Sequence, residues 1–263
     1  MIRLDEINDR LDHTFSQPTI LFRENEHAVY WLGTPEDSAF RCNAYLVADG
    51  AEMILVDPGG VNHFGFVHNR VSQITDPGTI TGIILCHQDP DIAGSVASWL
   101  KVSPRATILS SLYTNTLLPY YGNDTYVFRN IDEEPEYTLP SGGKLRFIPS
   151  PFLHSPGAFT TWDETSRFLF SGDIWAAIDM EWELVVRDFT AHRLKMDLFN
   201  IHYMSGSVAC RGFLERLKGT PVEAILPQHG SILPGGMVAD ALKYLSRLRC
   251  GIDLIYPEYV SRI

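Results

Sequence analysis

The sequence predicts a single α/β domain in which helices pack outside a core of two sheets. Three observations support this. Strand-like apolar runs recur along the chain, segments with helical spacing lie among them, and no break in composition marks a linker. At 263 residues the chain is long enough to bury a sizeable core. No internal repeat is visible, so a solenoid is not expected.

The predicted elements follow from the spacing of apolar residues and from Gly and Pro turn signals. The predicted strands are HAVYWLG (27–33), NAYLVA (43–48), EMILVDPGG (52–60), TGIILC (81–86), ATILS (106–110), KLRFIPSP (144–151), GAFTTWD (157–163), RFLFSGD (167–173) and VEAILPQHG (222–230). The predicted helices are VNHFGFVHNRVSQI (61–74), IAGSVASWLK (92–101), FLERLKG (213–219) and MVADALKYLSRLRC (237–250).

Charge and composition exclude several classes of function. There are 32 acidic and 21 basic side chains, for a formal net charge of −11. We expect no nucleic-acid binding through general electrostatics, because nothing offsets the repulsion from phosphates. The start, MIRLDEINDRLDH, lacks the apolar segment of a secretory signal, and no apolar run reaches the roughly 20 residues of a membrane span. The cysteines, at 42, 86, 210 and 250, form no CxxC pair, which is typical of buried, reduced thiols in a cytoplasmic protein.

Candidate metal ligands follow four of the predicted buried strands. Metal sites need His, Cys or carboxylate groups that converge from rigid elements. All four places should therefore lie along one edge of the core. The candidates are His87, Asp89 and Asp91 after TGIIL, His154 after FIPSPFL, Asp173 after RFLFSG, and His229 after AILPQ.

Each candidate also has an ordinary structural interpretation. A lone histidine such as His154 or His229 is more often partly buried and hydrogen-bonded than a ligand. Asp173 on its own fits a turn residue or a helix cap. The His-x-Asp-x-Asp run at 87–91 is more specific, because three ionisable groups beside an apolar strand are unsatisfied without a cation.

Five motifs in order resemble the metallo-β-lactamase fold, and within it the diiron domain of flavodiiron proteins. The motifs are NAYLVADGAEMILVDPGG, ILCHQDPDIAGS, FIPSPFLHSPGAF, FLFSGDIW and ILPQHG. The resemblance extends from about residue 28 to the QHG turn. It implies an αββα sandwich, with two mixed β-sheets and helices on both outer faces.

The resemblance also implies a ligand set. Hydrolytic members of the superfamily have His-x-His-x-Asp-His in the first motif, whereas flavodiiron proteins have a carboxylate as the second residue, as Asp89 is here. Oxygen-rich ligand sets suit iron better than zinc. Ile92 stands where the family has a histidine, so the second metal would lack one nitrogen ligand. Two iron ions (Fe²⁺/Fe³⁺), with zinc as a substitute, would be held by His87, Asp89 and His154 at the first site, by Asp91 and His229 at the second, and by Asp173 as a bridge.

The functional expectation is a cytoplasmic non-haem diiron protein that binds dioxygen, as a sensor or as a slow O₂ or NO reductase. Residues 1–263 form one domain in this interpretation, with no flavodoxin domain and no bound flavin, so electrons would come from a separate redox partner. The loss of the histidine at 92 resembles the stand-alone oxygen-binding diiron proteins, which implies a signalling partner and self-association. The alternatives are a dinuclear hydrolase of thioesters or phosphodiesters, and an interaction module that has lost its metals. His202 in NIHYMSG is a further candidate to fill the place left by Ile92.

Overall fold

Two sheets form the centre of the fold in the computed structural model, which describes residues 4–10, 17–33 and 39–260. The strands in these ranges are β1 (Thr19–Glu24), β2 (His27–Gly33), β3 (Ala44–Asp49), β4 (Glu52–Val56), β5 (Gly82–Ile84), β6 (Thr107–Ser110), β7 (Val127–Asn130), β8 (Glu136–Thr138), β9 (Lys144–Pro149), β10 (Phe159–Asp163), β11 (Phe168–Gly172), β12 (Ala224–Pro227) and β13 (Leu233–Pro234).

Both sheets are mixed. The first has seven strands in the order β1-β2-β3-β4-β5-β6-β7, and the second has six in the order β13-β12-β11-β10-β9-β8. In the first sheet β1 to β4 are antiparallel neighbours, and β4 to β7 are parallel. In the second sheet β11 and β12 are parallel, and the other pairs are antiparallel.

The longer α-helices cover the outer faces of the sheets. The α-helices of the described residues are α1 (Ile7–Arg10), α2 (Phe64–Ser72), α3 (Pro90–Ala93), α4 (Val96–Val102), α5 (Leu112–Leu117), α6 (Phe189–Tyr203), α7 (Ser207–Leu217), α8 (Gly235–Arg247), α9 (Ile252–Ile255) and α10 (Pro257–Val260). None of these helices is both long enough and apolar enough to cross a membrane.

Three apolar clusters lie between the layers of the fold. The central cluster joins side chains of the two sheets, such as Val47 of β3 and Phe170 of β11. A second cluster lies between the first sheet and helices α2 and α4, and a third lies between the second sheet and helices α6, α7 and α8. The expected αββα sandwich is confirmed, and its fold is stabilised by apolar burial on both faces of each sheet.

The predicted strands and helices all have counterparts, and one predicted helix is divided into two. The segment IAGSVASWLK is two helices, because the chain turns at Gly94 and Ser95 between α3 and α4. A Cβ on Gly94 would lie 2.3 Å from the carbonyl oxygen of Pro90, so only glycine fits at this turn. The 15-residue helix α6 was not among the predicted helices.

A buried ion-pair triad joins the two sheets. His27 of β2 lies between the carboxylates of Asp49 and Asp163, with Nδ1 and Nε2 each 2.8 Å from a carboxylate oxygen. Burial lowers the pKa of His27, but hydrogen bonds and charges from Asp163 and Asp49 outweigh it, and the net pKa is raised. We call these three residues the His27 triad.

Candidate metal centre

The C-terminal ends of four strands meet at one edge of the sandwich. Strand β9 is antiparallel to β10, and β10 is antiparallel to β11, so β9, β11 and β12 all end at the same edge of the second sheet. The segment after β5 joins this edge, because the N–H of Phe159 donates to the carbonyl of Cys86 at 3.1 Å. The expectation that the four motifs share an edge is therefore confirmed.

The first group of polar side chains surrounds one oxygen of Asp173. Oδ2 of Asp173 lies 3.2 Å from Nε2 of His87 and 2.9 Å from Nε2 of His154. Oδ2 of Asp89 lies 3.3 Å from the same nitrogen of His154 and 3.7 Å from that of His87. Two imidazole nitrogens and two carboxylate oxygens thus face a common point.

The second group surrounds the other oxygen of Asp173. Nε2 of His229 lies 3.5 Å from Oδ1 of Asp173 and 3.0 Å from Oδ2 of Asp91. Cys42 also belongs to this group, since its sulfur lies within 4.8 Å of ligand atoms of Asp91 and His229. Asp173 therefore contributes one oxygen to each group.

These donors fit two metal ions. Ligand atoms about 2.1 Å from one ion, at angles of 90° to 109°, lie roughly 3.0 to 3.4 Å apart, and the nitrogen–oxygen distances here, from 2.9 to 3.7 Å, are close to this range. Nε2 of His87, Nε2 of His229 and Oδ1 of Asp173 are buried and make no hydrogen bond within the described part of the chain. Buried polar atoms without partners are costly, and a cation would satisfy all three.

The ligand histidines are oriented by groups behind them. Nδ1 of His229 donates to the carbonyl oxygen of Arg41 at 3.0 Å, which fixes the ring so that Nε2 is the nitrogen directed at the site. Phe40 stacks on the His229 ring, with centroids 3.8 Å apart. Nδ1 of His87 lies 3.2 Å from Sγ of Cys86, so this thiol contacts the rear of the ring, on the side away from the two carboxylates.

Opposite charges in the site shift the pKa values of its ionisable groups. Burial raises the pKa of Asp173, but His87, His154 and His229 outweigh it and hold that pKa well below its usual range. Burial lowers the pKa of His229, but the nearby carboxylates of Asp91 and Asp173 contribute to raising it to about 10. A metal ion would displace the proton that the His229 imidazole otherwise holds.

The His229 segment is held in place by a buried asparagine and a glycine. Nδ2 of Asn43 donates to the carbonyl oxygens of Pro227 at 3.0 Å and Gly230 at 2.8 Å, and its Oδ1 accepts from the Trp31 indole at 2.9 Å. Gly230 has a φ of +87°, and a Cβ there would lie 2.7 Å from the Cβ of Ala177. The turn after His229 therefore requires glycine.

The other sequence candidates lie outside the donor groups. Ile92 is fully buried in the apolar cluster of the first sheet, and His202 is exposed on α6. Trp175 is a core residue whose indole donates to the carbonyl of Ala241 at 2.9 Å. Tyr203 lies beside the site, with its ring centroid 5.9 Å from that of His154.

Cys42 is the residue that sequence reasoning missed. It precedes β3, whereas every candidate was sought after a strand. Its backbone forms an antiparallel bridge with His229, a long-range pairing that no local pattern reveals. The adjacent Asn43 and Tyr45, which both bond to the carbonyl of Pro227, are the nearest sequence signal of that pairing.

A two-sheet sandwich with helices outside, and two His/Asp donor groups sharing a carboxylate at one edge, is the architecture of a dinuclear metallo-β-lactamase-fold protein. A family model described as "ODP family beta lactamase" matches residues 40–230. The chain therefore belongs to the ODP family.

Two solved structures of the chemotaxis sensor ODP are similar to this chain. One is described as its peroxy diiron species, with 33% identity, a TM-score of 0.80, and coverage of 91% of this chain and 99% of that chain. The other is the apo state from T. denticola, with 33% identity, a TM-score of 0.79, and coverage of 93% and 99%. Among curated relatives, the flavo-diiron protein FprA2 of Clostridium acetobutylicum is 27% identical over 132 residues, which are 50% of this chain and 33% of that protein. The matched regions span between 22% and 57% of the first three curated relatives.

Proposed function

We propose that the protein is a non-haem diiron protein that binds dioxygen and acts as an oxygen sensor. The observation that carries the proposal is the pair of donor groups that share the buried carboxylate of Asp173. The similarity to chemotaxis sensor ODP supports iron and dioxygen as the metal and the ligand. The proposed ligands are His87, Asp89 and His154 for the first iron, Asp91 and His229 for the second, and Asp173 between them.

The three carboxylates of the site do not by themselves neutralise two bound cations fully. Asp89, Asp91 and Asp173 supply three negative charges against the four positive charges of two ferrous ions. A diferrous centre binds dioxygen and can give it two electrons. The oxygen-rich set favours iron, and Asp89 in the place of a histidine distinguishes the site from the nitrogen-rich hydrolase centres.

Small ligands can reach the site from one side. The side chains of Asp89 and Asp91 are each 31% exposed and that of His154 is 20% exposed, whereas those of His87, Asp173 and His229 are almost wholly buried. Phe199 is stacked on Tyr203 beside His154, with centroids 4.4 Å apart, and gives this side an apolar wall. Such an opening admits a diatomic gas to the metal pair, while the buried side fixes the ligands.

Sensing is proposed in preference to fast turnover. Complete reduction of dioxygen to water needs four electrons, and two irons supply two, so turnover would require an external redox partner. A slow O₂ or NO reductase activity, a signalling partner, self-association and a cytoplasmic location are the further parts of this proposal. The hydrolase alternative is disfavoured by Asp89 and Ile92, which replace two histidines of the hydrolytic motif.

Anaerobic reconstitution tests the proposal. The purified chain is loaded with Fe²⁺, its iron content is measured, and absorption spectra are recorded during titration with dissolved O₂. We expect two irons per chain and a stoichiometric absorption change. Retention of zinc alone, or two irons with no spectral response to O₂, would overturn the proposal, and zinc-dependent hydrolysis of thioesters or phosphodiesters would support the alternative.

A further inference from the structure

Cys42 shares the space of the second donor group because of its backbone pairing. It is 6% exposed and forms an antiparallel bridge with His229. The N–H of the next residue, Asn43, donates to the carbonyl of Gln228 at 2.6 Å, so the two segments are held side by side. Residues directly opposite in an antiparallel pair project to the same face, with Cβ atoms about 4.5 to 5.5 Å apart.

The sulfur of Cys42 is within reach of an ion bound by this group. Sγ of Cys42, a carboxylate oxygen of Asp91 and a ring nitrogen of His229 all lie within 4.8 Å of one another. An ion about 2.0 to 2.3 Å from each of three such atoms satisfies this spacing.

A second observation marks the same space as a ligand site. Nε2 of His229 and Oδ1 of Asp173 belong to residues 0% and 4% exposed, lie 3.5 Å apart, and make no hydrogen bond among the described residues. Both atoms therefore point into an enclosed polar space that Cys42 borders. The other thiol near the site, that of Cys86, contacts Nδ1 of His87 and not a ligand nitrogen.

We infer that Cys42 is a thiolate ligand of the second metal ion and takes the coordination position that Ile92 leaves without a histidine. This inference rests on the proposed function, because it assumes a metal between Asp91, Asp173 and His229. The thiol loses its proton to solvent when the metal–sulfur bond forms, and no electron is transferred. The second ion then has four protein donors, the same number as the first.

X-ray absorption at the iron edge of the anaerobic Fe²⁺-loaded protein tests the inference. We expect a sulfur shell at about 2.3 Å, with half a sulfur per iron. Cys42→Ser and Cys42→Ala remove this shell and make one of the two irons 10- to 100-fold easier to extract with a chelator. Cys210→Ala, which removes a fully buried thiol from the core on the outer face of the second sheet, keeps the shell and the chelation rate.

The outcomes separate this inference from the proposed function. Two irons and an O₂ response without a sulfur shell overturn the role of Cys42 and leave the diiron function standing. If the chain retains only zinc, the same spectrum at the zinc edge decides: a sulfur shell lost in Cys42→Ala supports the ligand assignment although the iron proposal fails. Circular dichroism spectra of the variants establish that they are folded, and an unchanged sulfur shell in both variants overturns the inference.

Discussion

Replacement of Asp173 by asparagine should weaken both metal sites at once. Oδ2 of Asp173 faces His87 and His154 at 3.2 and 2.9 Å, and Oδ1 faces His229 at 3.5 Å. Asparagine keeps the shape but removes the charge and puts an amide NH₂ in the place of one oxygen. The loss of a group that only orients a ligand already costs 10- to 100-fold in metal affinity. A direct ligand shared by two ions should therefore cost at least about 100-fold for each, or about 2.7 kcal/mol at 1.36 kcal/mol per tenfold.

Competition titration with a chromophoric chelator under anaerobic conditions measures this effect. Asp173→Asn should lose affinity for both irons, whereas Asp89→Asn should weaken only the first and Asp91→Asn only the second. Thermal unfolding of each metal-free variant controls for loss of the fold. The reasoning is refuted if Asp173→Asn binds two irons as tightly as the native chain, or if it weakens only one of them.

Three further substitutions probe the elements that support the site. His27→Gln should lower the free energy of unfolding by about 3 kcal/mol near pH 5.5 and by less near pH 9. The pKa of His27 is raised in the folded protein, so its stabilising effect is complete below the ordinary pKa of 6.5 and is lost as the pH rises through the folded-state pKa. Denaturant unfolding at both pH values measures this, and equal losses would contradict it. Gly230→Ala should cost about 1–3 kcal/mol of stability through backbone strain and should reduce the occupancy of the second iron site. Thermal melting measures the first effect and iron content the second. An iron content equal to that of the native chain would contradict the prediction. Asn43→Ala removes the hydrogen bonds to the carbonyls of Pro227 and Gly230 and to the Trp31 indole, and at about 1 kcal/mol for each bond it should cost about 3 kcal/mol in denaturant unfolding. A loss below about 1 kcal/mol would show that other groups replace these hydrogen bonds.

The central strands were predictable because their burial is nearly continuous. All six residues of β3 and all five of β11 are buried, so each reads as an apolar run. The 15-residue helix α6 was harder to find, because its buried side chains include His192 and Asn200 beside Met196 and Phe199. A buried stripe that contains polar residues weakens the apolar periodicity from which helices are predicted. Strand β13, with two residues, is too short to show any period.

The candidate metal ligands were predictable only where they follow the C-terminal end of a strand. Candidates were sought after strands, and the carboxyl ends of parallel strands meet at one edge. Strand β3 is antiparallel to β4, and β4 is parallel to β5, so the start of β3 lies at the edge where β5 ends. Cys42 precedes β3 and thus reaches the edge that carries His87. Its position depends on how the strands pair, and this pairing cannot be read from the spacing of residues in the sequence.

The replacement of a histidine by Ile92 has a different meaning once Cys42 is placed beside the second ion. The first ion has two nitrogens from His87 and His154 and two carboxylates. The second would have one nitrogen from His229, two carboxylates and a thiolate, so it is no poorer in ligands but receives one more negative charge. Anionic ligands stabilise the ferric state more than the ferrous state, because the attraction between charges grows with the charge of the ion. The second iron should therefore be the easier of the two to oxidise, and this asymmetry should disappear in Cys42→Ser, where the serine hydroxyl stays neutral.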